Sequence, residues 1–317
     1  MKHQHIIACI CLSMSYLTSC QSENLTISTQ TARLPITIVA RIGNTPTISG
    51  RYAGDDLNHV DFAPGDSIGI FMNEDPIVLW NYSSLTWTPK SFMYWTDKTT
   101  PHSFKAFYPY TYATSYEAIP MPNLQEQTGS MASVSLCDFL VSSITQSYGD
   151  DGTVRFQGTN KSFQHISSLI CLKIKGNEDL SEATLKSIRI HGENLVSPSI
   201  YSFEEGVKLS PDEFSDELNI TLNQPVRGTD QTYFLIVNEK LDNSDIVTLS
   251  IEYEKDGDID TAQKSNFANN VFKGGVQQSF TIVIRNNVLT LSGAEIESWT
   301  TGEEMEDIII NAEEKLS

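Results

Sequence analysis

The chain has 317 residues and carries 40 acidic against 21 basic side chains, a net charge of −19. A surface this acidic repels nucleic acid and anionic lipid headgroups, which excludes both as partners. With 39% hydrophobic residues, the chain is long enough for one large or two medium cores.

At the N-terminus Lys2, His3 and His5 precede an apolar run, Ile6 to Leu12, and small residues then lead to Leu17-Thr18-Ser19-Cys20. That order is a secretory signal peptide, residues 1–19, whose apolar part is too short for a helix of ~20 residues to span a bilayer. Leu17 to Cys20 resembles a bacterial lipobox. It predicts cleavage between Ser19 and Cys20 and acylation of the Cys20 thiol, with about two chains needed for stable anchoring in a lipid bilayer. The plain alternative is a signal peptide with a coincidental cysteine. Removal of residues 1–19 leaves 298 residues and, with Lys2 gone, takes the charge from −19 to −20. Residues 20–35, polar and β-branched after the cysteine, read as a lipidated N-terminus and tether.

From there the periodic segments have period two rather than 3.6. Ile36 to Ile42 alternates in part, with Ile36, Ile38, Ala40 and Ile42 on one face. Ser67 to Met72 follows a Pro64-Gly65-Asp66 turn, and Ser103 to Tyr108 alternates until Pro109. His165 to Lys175, Leu185 to Ile190, Leu218 to Leu222, Thr232 to Val237, Val247 to Tyr253 and Ser279 to Ile284 also read as extended. Turn signals at Asp150-Asp151-Gly152, Asp256-Gly257-Asp258 and Gly274-Gly275 separate them. Asn123 to Ile144 is ambiguous: a short helix, or an irregular excursion over a sheet edge. No strand–helix alternation occurs, so the fold class is all-β, two tandem antiparallel β-sandwich domains over 36–176 and 177–317. The boundary is set at the polar break Gly176-Asn177-Glu178-Asp179, with the Asp150 turn as the alternative.

Chemistry is hard to find. His59, His102, His165 and His191 are scattered without metal-ligand spacing, and no nucleophile elbow or phosphate loop is present. Neither an enzyme, a metal site nor a cofactor is expected. Asp256-Gly257-Asp258-Ile259-Asp260 lacks the glycine and distal glutamate of an EF-hand loop and reads as a hairpin turn. Cys137 and Cys171 sit in apolar surroundings and read as small hydrophobes rather than a disulfide. The aromatics Trp80, Tyr82, Trp87, Tyr94, Trp95, Phe104, Phe107, Tyr108, Tyr110 and Tyr112 suit a sandwich core, with sugar stacking as the competing reading.

Five segments, in order, resemble one known family, the fimbrillin-like proteins: Asp61 to Phe71 (DFAPGDSIGIF), Tyr94-Trp95 with Phe104 to Tyr110 (FKAFYPY), Cys137-Asp138-Phe139-Leu140, Phe163 to Leu169 (FQHISSL), and Ala294 to Gly302 (AEIESWTTG). The resemblance implies two transthyretin-like sandwiches in a pilus subunit of Gram-negative anaerobes, exported as a lipoprotein to the outer membrane and cell surface. It further implies that an Arg-specific outer-membrane protease cuts the loop after the first strand, and that a strand from another fimbrial subunit fills the groove left behind. On this chain the displaced strand is Ile36, Ile38, Ala40 and Ile42. The cut falls between Arg51 and Tyr52, beside Gly50 and Gly54, and the donor is the tail with Ile308, Ile309 and Ile310. Partners are then other fimbrial subunits, lipoprotein-processing enzymes, the protease and the bilayer. The tail is acidic, so an anchor or accessory role is an alternative, as is a non-polymerising surface lipoprotein that binds glycan or a host ligand.

Overall fold

A computed structural model describes residues 33–43, 62–177, 180–210, 214–226 and 228–298. The first eleven strands are β1 (Leu34–Pro35), β2 (Thr37–Ala40), β3 (Ser67–Met72), β4 (Val78–Ser83), β5 (Thr86–Pro89), β6 (Tyr94–Trp95), β7 (His102–Tyr108), β8 (Ile119–Pro120), β9 (Leu140–Gln146), β10 (Thr153–Phe156) and β11 (Gln164–His165). Six of them form an antiparallel sheet in the order β11-β9-β7-β3-β4-β5.

Strand β3 shows how the sequence builds this sheet. Pro64-Gly65 reverses the chain, Gly65 takes φ of 101°, and the Asp66 carboxylate accepts from the Ala63 amide at 2.8 Å. Period two then sends Ile68, Ile70 and Met72 to one face, where they join Trp80, Phe104 and Leu140 in a buried cluster. Phe71 points the other way, into a second cluster with Phe107, Phe139 and Val141. Gly69 shares that second face because a Cβ there would lie 2.6 Å from the Phe107 ring.

Both faces are covered. Strands β2 and β10, with Phe163, close the first cluster. The second is closed by a three-stranded sheet, β15-β14-β8, from β14 (Ser199–Ser202) and β15 (Gly206–Leu209), with Tyr201 and Phe203 packed against it.

The remaining strands are β12 (Ser168–Ile174), β13 (Thr184–His191), β16 (Glu217–Pro225), β17 (Gln231–Val237), β18 (Thr248–Lys255), β19 (Asp258–Ser265), β20 (Val276–Arg285) and β21 (Val288–Ser298). They form an eight-stranded sheet, β16-β13-β18-β19-β21-β20-β12-β17, around a third cluster that includes Leu172, Ile188, Leu235 and Ile251. Strand β12 lies inside this sheet, paired with β17 and β20. The eight-stranded sheet thus begins at Ser168, ahead of the polar break at Gly176-Asn177. From Leu34 onward the chain forms one compact unit. Not every pairing is antiparallel as expected: β2–β10 and β12–β20 are parallel, because long crossovers bring distant segments side by side.

Asn123 to Ile144 resolves into both alternatives and a strand. A 3-10 turn, Leu124–Glu126, starts where Asn123 accepts from the Gln125 amide, and α1 (Met131–Cys137) starts at the Ser130 cap. Leu124, Val134 and Cys137 enter the C-terminal cluster. Between them Gln127 accepts from the Ile236 amide at 2.6 Å and donates to the Ile236 carbonyl at 2.7 Å, while the Phe234 amide donates to Gly129. The excursion thus runs along the outer edge of β17. Asp138 follows it, fully buried, with its carboxylate 2.9 Å from His165 Nδ1.

Candidate functional site at the first strand

The segment from Leu34 to Gly43 is built by alternation. Ile36, Ile38, Ala40 and Ile42 are each less than a tenth exposed and join the cluster of the six-stranded sheet, while Thr37 is exposed and Val39 and Arg41 half-buried. Leu34 and Pro35 pair with Trp95 and Tyr94, and the Ile36 amide donates to Met93 at 2.9 Å. Thr37 to Ala40 then runs parallel to Thr153–Phe156, and the Arg41 amide donates to Phe156. Phe163 donates to the Arg41 carbonyl and accepts from the Gly43 amide, both at 2.9 Å, as Ile42 bridges to it.

Among the described residues β10 is the only ladder partner of β2. Over Thr37–Ala40 the described ladder runs along one edge, Leu34–Ile36 is fastened to Met93–Trp95, and the inward side chains hold the strand from below. Three buried isoleucines contribute roughly 6 kcal/mol, at about 2 kcal/mol each, and net backbone hydrogen bonds about 1 kcal/mol apiece. Removing the strand uncovers an apolar trough and one row of β10 backbone groups, the arrangement that an added strand satisfies. Phe62, at the other end of residues 44–61, is buried against Trp87 and Phe163 with ring centroids 5.1 Å away in each case. Both ends of that 18-residue segment are therefore fastened to this core.

Ser19, Cys20, Arg51, Tyr52, Ile308, Ile309 and Ile310 lie outside the described residues. The sequence reading overlooked β10, the strand's partner. Its signal was the Val154/Phe156 alternation directly after the Asp150-Asp151-Gly152 turn.

The competing chemistry is thin. Among the described residues no group of three or more His, Cys, Asp or Glu side chains is placed to hold a metal. Asp256-Gly257 is a two-residue hairpin turn with φ of 56° and 89°, joining Lys255 to Asp258. His102 is buried between Asn73 and Thr96, 2.9 Å from each, and His191 is exposed. Cys137 and Cys171 are not joined in a disulfide, and burial pushes the Cys137 thiol up to about 11. Of the aromatics, Trp80, Tyr82, Trp95, Phe104, Phe107 and Tyr108 are buried. Trp87, Tyr94 and Tyr110 are half-buried, and Tyr112 is exposed. The stripe is core. A polar groove of about 480 Å³ flanks β10, but its Arg155 is engaged by Asp151 at 2.6 and 3.1 Å, a contact that holds the Asp151 carboxyl well below its usual range.

The body is all-β, and its first strand joins it through one ladder with β10 and a short pairing with Tyr94 and Trp95. A sequence profile described as fimbrillin-like matches residues 54–299, and the chain belongs to that family. Its class is the structural subunit of fimbriae and adhesins at the cell surface. Comparison with curated proteins returned no match. Among solved structures, a candidate cell adhesion protein of Bacteroides uniformis superposes with a TM-score of 0.56 at 15% identity, covering 84% of this chain and 99% of that one. A candidate cell adhesion protein of Bacteroides ovatus gives 0.54 at 17% identity, covering 86% and 100%. A fimbrial protein of Bacteroides vulgatus gives 0.51 at 14%, covering 84% and 99%. At these identities the three share the fold.

Proposed function

We propose that this chain is a fimbrial subunit, exported as a lipoprotein and assembled by donor-strand exchange. Signal cleavage between Ser19 and Cys20 and acylation of Cys20 anchor it in the outer membrane. An Arg-specific protease cuts between Arg51 and Tyr52, the strand carrying Ile36, Ile38, Ala40 and Ile42 leaves, and a strand from another subunit takes its place. The body then acts as two transthyretin-like sandwiches joined rigidly in the shaft or tip.

One observation carries this reading: a strand that sends Ile36, Ile38, Ala40 and Ile42 into the core has, over Thr37–Ala40, a single ladder among the described residues. Such a strand stabilises the precursor and is replaceable by any ribbon with the same inward face. Arg51 falls within the 18 residues from 44 to 61, whose flanking residues, Gly43 and Phe62, are both fastened to the same core. The cut adds no new contact; it changes the first strand's return from an intramolecular event to a bimolecular one.

Protein recovered from native cells and sequenced from its N-terminus should begin at Tyr52, and the cleaved material should run as SDS-resistant ladders. Stable monomers after that cut would overturn exchange. The glycan-binding alternative relied on the aromatic stripe, of which Trp80 is buried and Trp87 half-buried.

A further inference from the structure

Strand β10 has two hydrogen-bonding edges, and β2 takes one of them. The Phe156 carbonyl accepts from the Arg41 amide, so alternation turns the backbone groups of Val154 and Phe156 toward the first strand. Those of Thr153 and Arg155 turn to the far flank, beside the polar groove lined by Gln146, Gln157 and Lys161. No strand is laddered to that far edge among the described residues. A side chain stands in for one. Gln146, the last residue of β9, donates from Nε2 to the Thr153 carbonyl at 2.7 Å. Its Oε1 accepts from the Arg155 amide at 3.2 Å. In a parallel ladder, an incoming residue donates to the carbonyl before its partner and accepts from the amide after it. Gln146 thus makes both bonds that a residue opposite Val154 would make. Beside it Asp151 accepts from the Thr153 amide at 2.9 Å, and Arg155 Nη1 donates to the Thr153 carbonyl at 3.0 Å. The device recurs at the outer edge of β17, where the Gln127 amide brackets Ile236.

Resting on the exchange reading, we propose that Gln146 determines the side on which exchange occurs. Its amide closes the far edge of β10, so an incoming strand pairs only along the edge that β2 vacates. Each copy then accepts one strand. The apolar trough alone does not impose that limit. It favours addition on the near edge but sets no barrier on the far one, where unmet backbone groups are a template for any extended chain.

The test uses the full mature chain, uncut or cleaved after Arg51, and a synthetic peptide spanning Leu34 to Gly43. Native mass spectrometry counts the peptides retained, and amide hydrogen exchange tells the edges apart, Phe156 reporting the near one and Arg155 the far one. Uncut wild type should retain no peptide, and cleaved wild type one, in place of its own first strand. Gln146→Met keeps the side-chain length and removes the amide. In the uncut chain it should speed Arg155 exchange about tenfold, the effect of losing one ordinary hydrogen bond, and leave Phe156 unchanged. The uncut variant should then retain one peptide, which restores Arg155 protection, and the cleaved variant two. Gln157→Met changes the same groove without touching β10 and should behave as wild type. Gln146→Glu, which keeps the acceptor for Arg155 but loses the donor, guards against a Met variant that does not fold; it should retain peptide in the uncut chain more weakly. Uncut Gln146 variants that retain no peptide, or a Gln157→Met that matches them, overturn the role of Gln146 and leave exchange standing. Cleaved wild type that takes up no peptide overturns exchange itself, and the proposal with it.

Discussion

Strands β2 and β12 are both short, apolar and parallel to one neighbour, yet they stand in opposite positions. β12 is laddered on both edges over Ser168–Ile174 and Leu169–Ile174, and Leu169, Ile170 and Leu172 are wholly buried. β2 has one ladder of four residues, and its outward side chains are exposed or half-buried. Both bury isoleucine or leucine in a close-packed cluster, so hydrophobicity does not distinguish them. The number of hydrogen-bonded edges does. A central strand is removed only by unfolding its sheet, whereas an edge strand is withdrawn at the cost of its own contacts.

Substitution at the two sites tests this difference most directly. Leu172→Ala should destabilise the whole body by about 4 kcal/mol, read from urea unfolding, since its cavity lies where neither neighbour can collapse. A thiol probe sharpens the same contrast from inside the C-terminal cluster. With its thiol at about 11, Cys137 should react with a disulfide reagent at pH 8 about a hundredfold more slowly than an ordinary exposed thiol. The sign follows from the neutral thiol being favoured when folded: the contribution is complete below the unfolded value of 9.0 and fades as pH rises through about 11. Labelling at pH 8 that matches a free thiol would show the cluster open. Ile38→Ala should cost about 2 kcal/mol in the uncut chain and nothing once the strand has left, so the same measurement before and after cleavage separates an exchangeable ribbon from a permanent one. Smallest of all, Arg155→Ala should change stability by under about 0.5 kcal/mol, because its pair with Asp151 is solvent-exposed.

What could be read from the sequence depended on strict alternation. Ser67–Met72 was legible to the residue because Ile68, Ile70 and Met72 alternate after an unambiguous turn. The same alternation exposed Ile36, Ile38, Ala40 and Ile42, so the site's inward face was visible before any coordinates. Its partner was not. Thr153–Phe156 is four residues long, with Arg155 exposed in the middle, and a parallel pairing over more than a hundred residues leaves no local trace. β14 and β15 were missed for a related reason, since half-exposed four-residue strands carry little pattern. The change of sheet between His165 and Ser168 lies within one continuous extended run of the sequence, so no turn signal marks it.

The excursion along β17 carries a consequence for filament architecture. Gln127 and Gly129 already occupy amide and carbonyl positions that a stray polypeptide would seek on that flank. Lateral strand addition there is blocked by the Gln127 side chain and the Gly129 backbone. Strand addition by another chain is thereby closed off at this edge of the eight-stranded sheet.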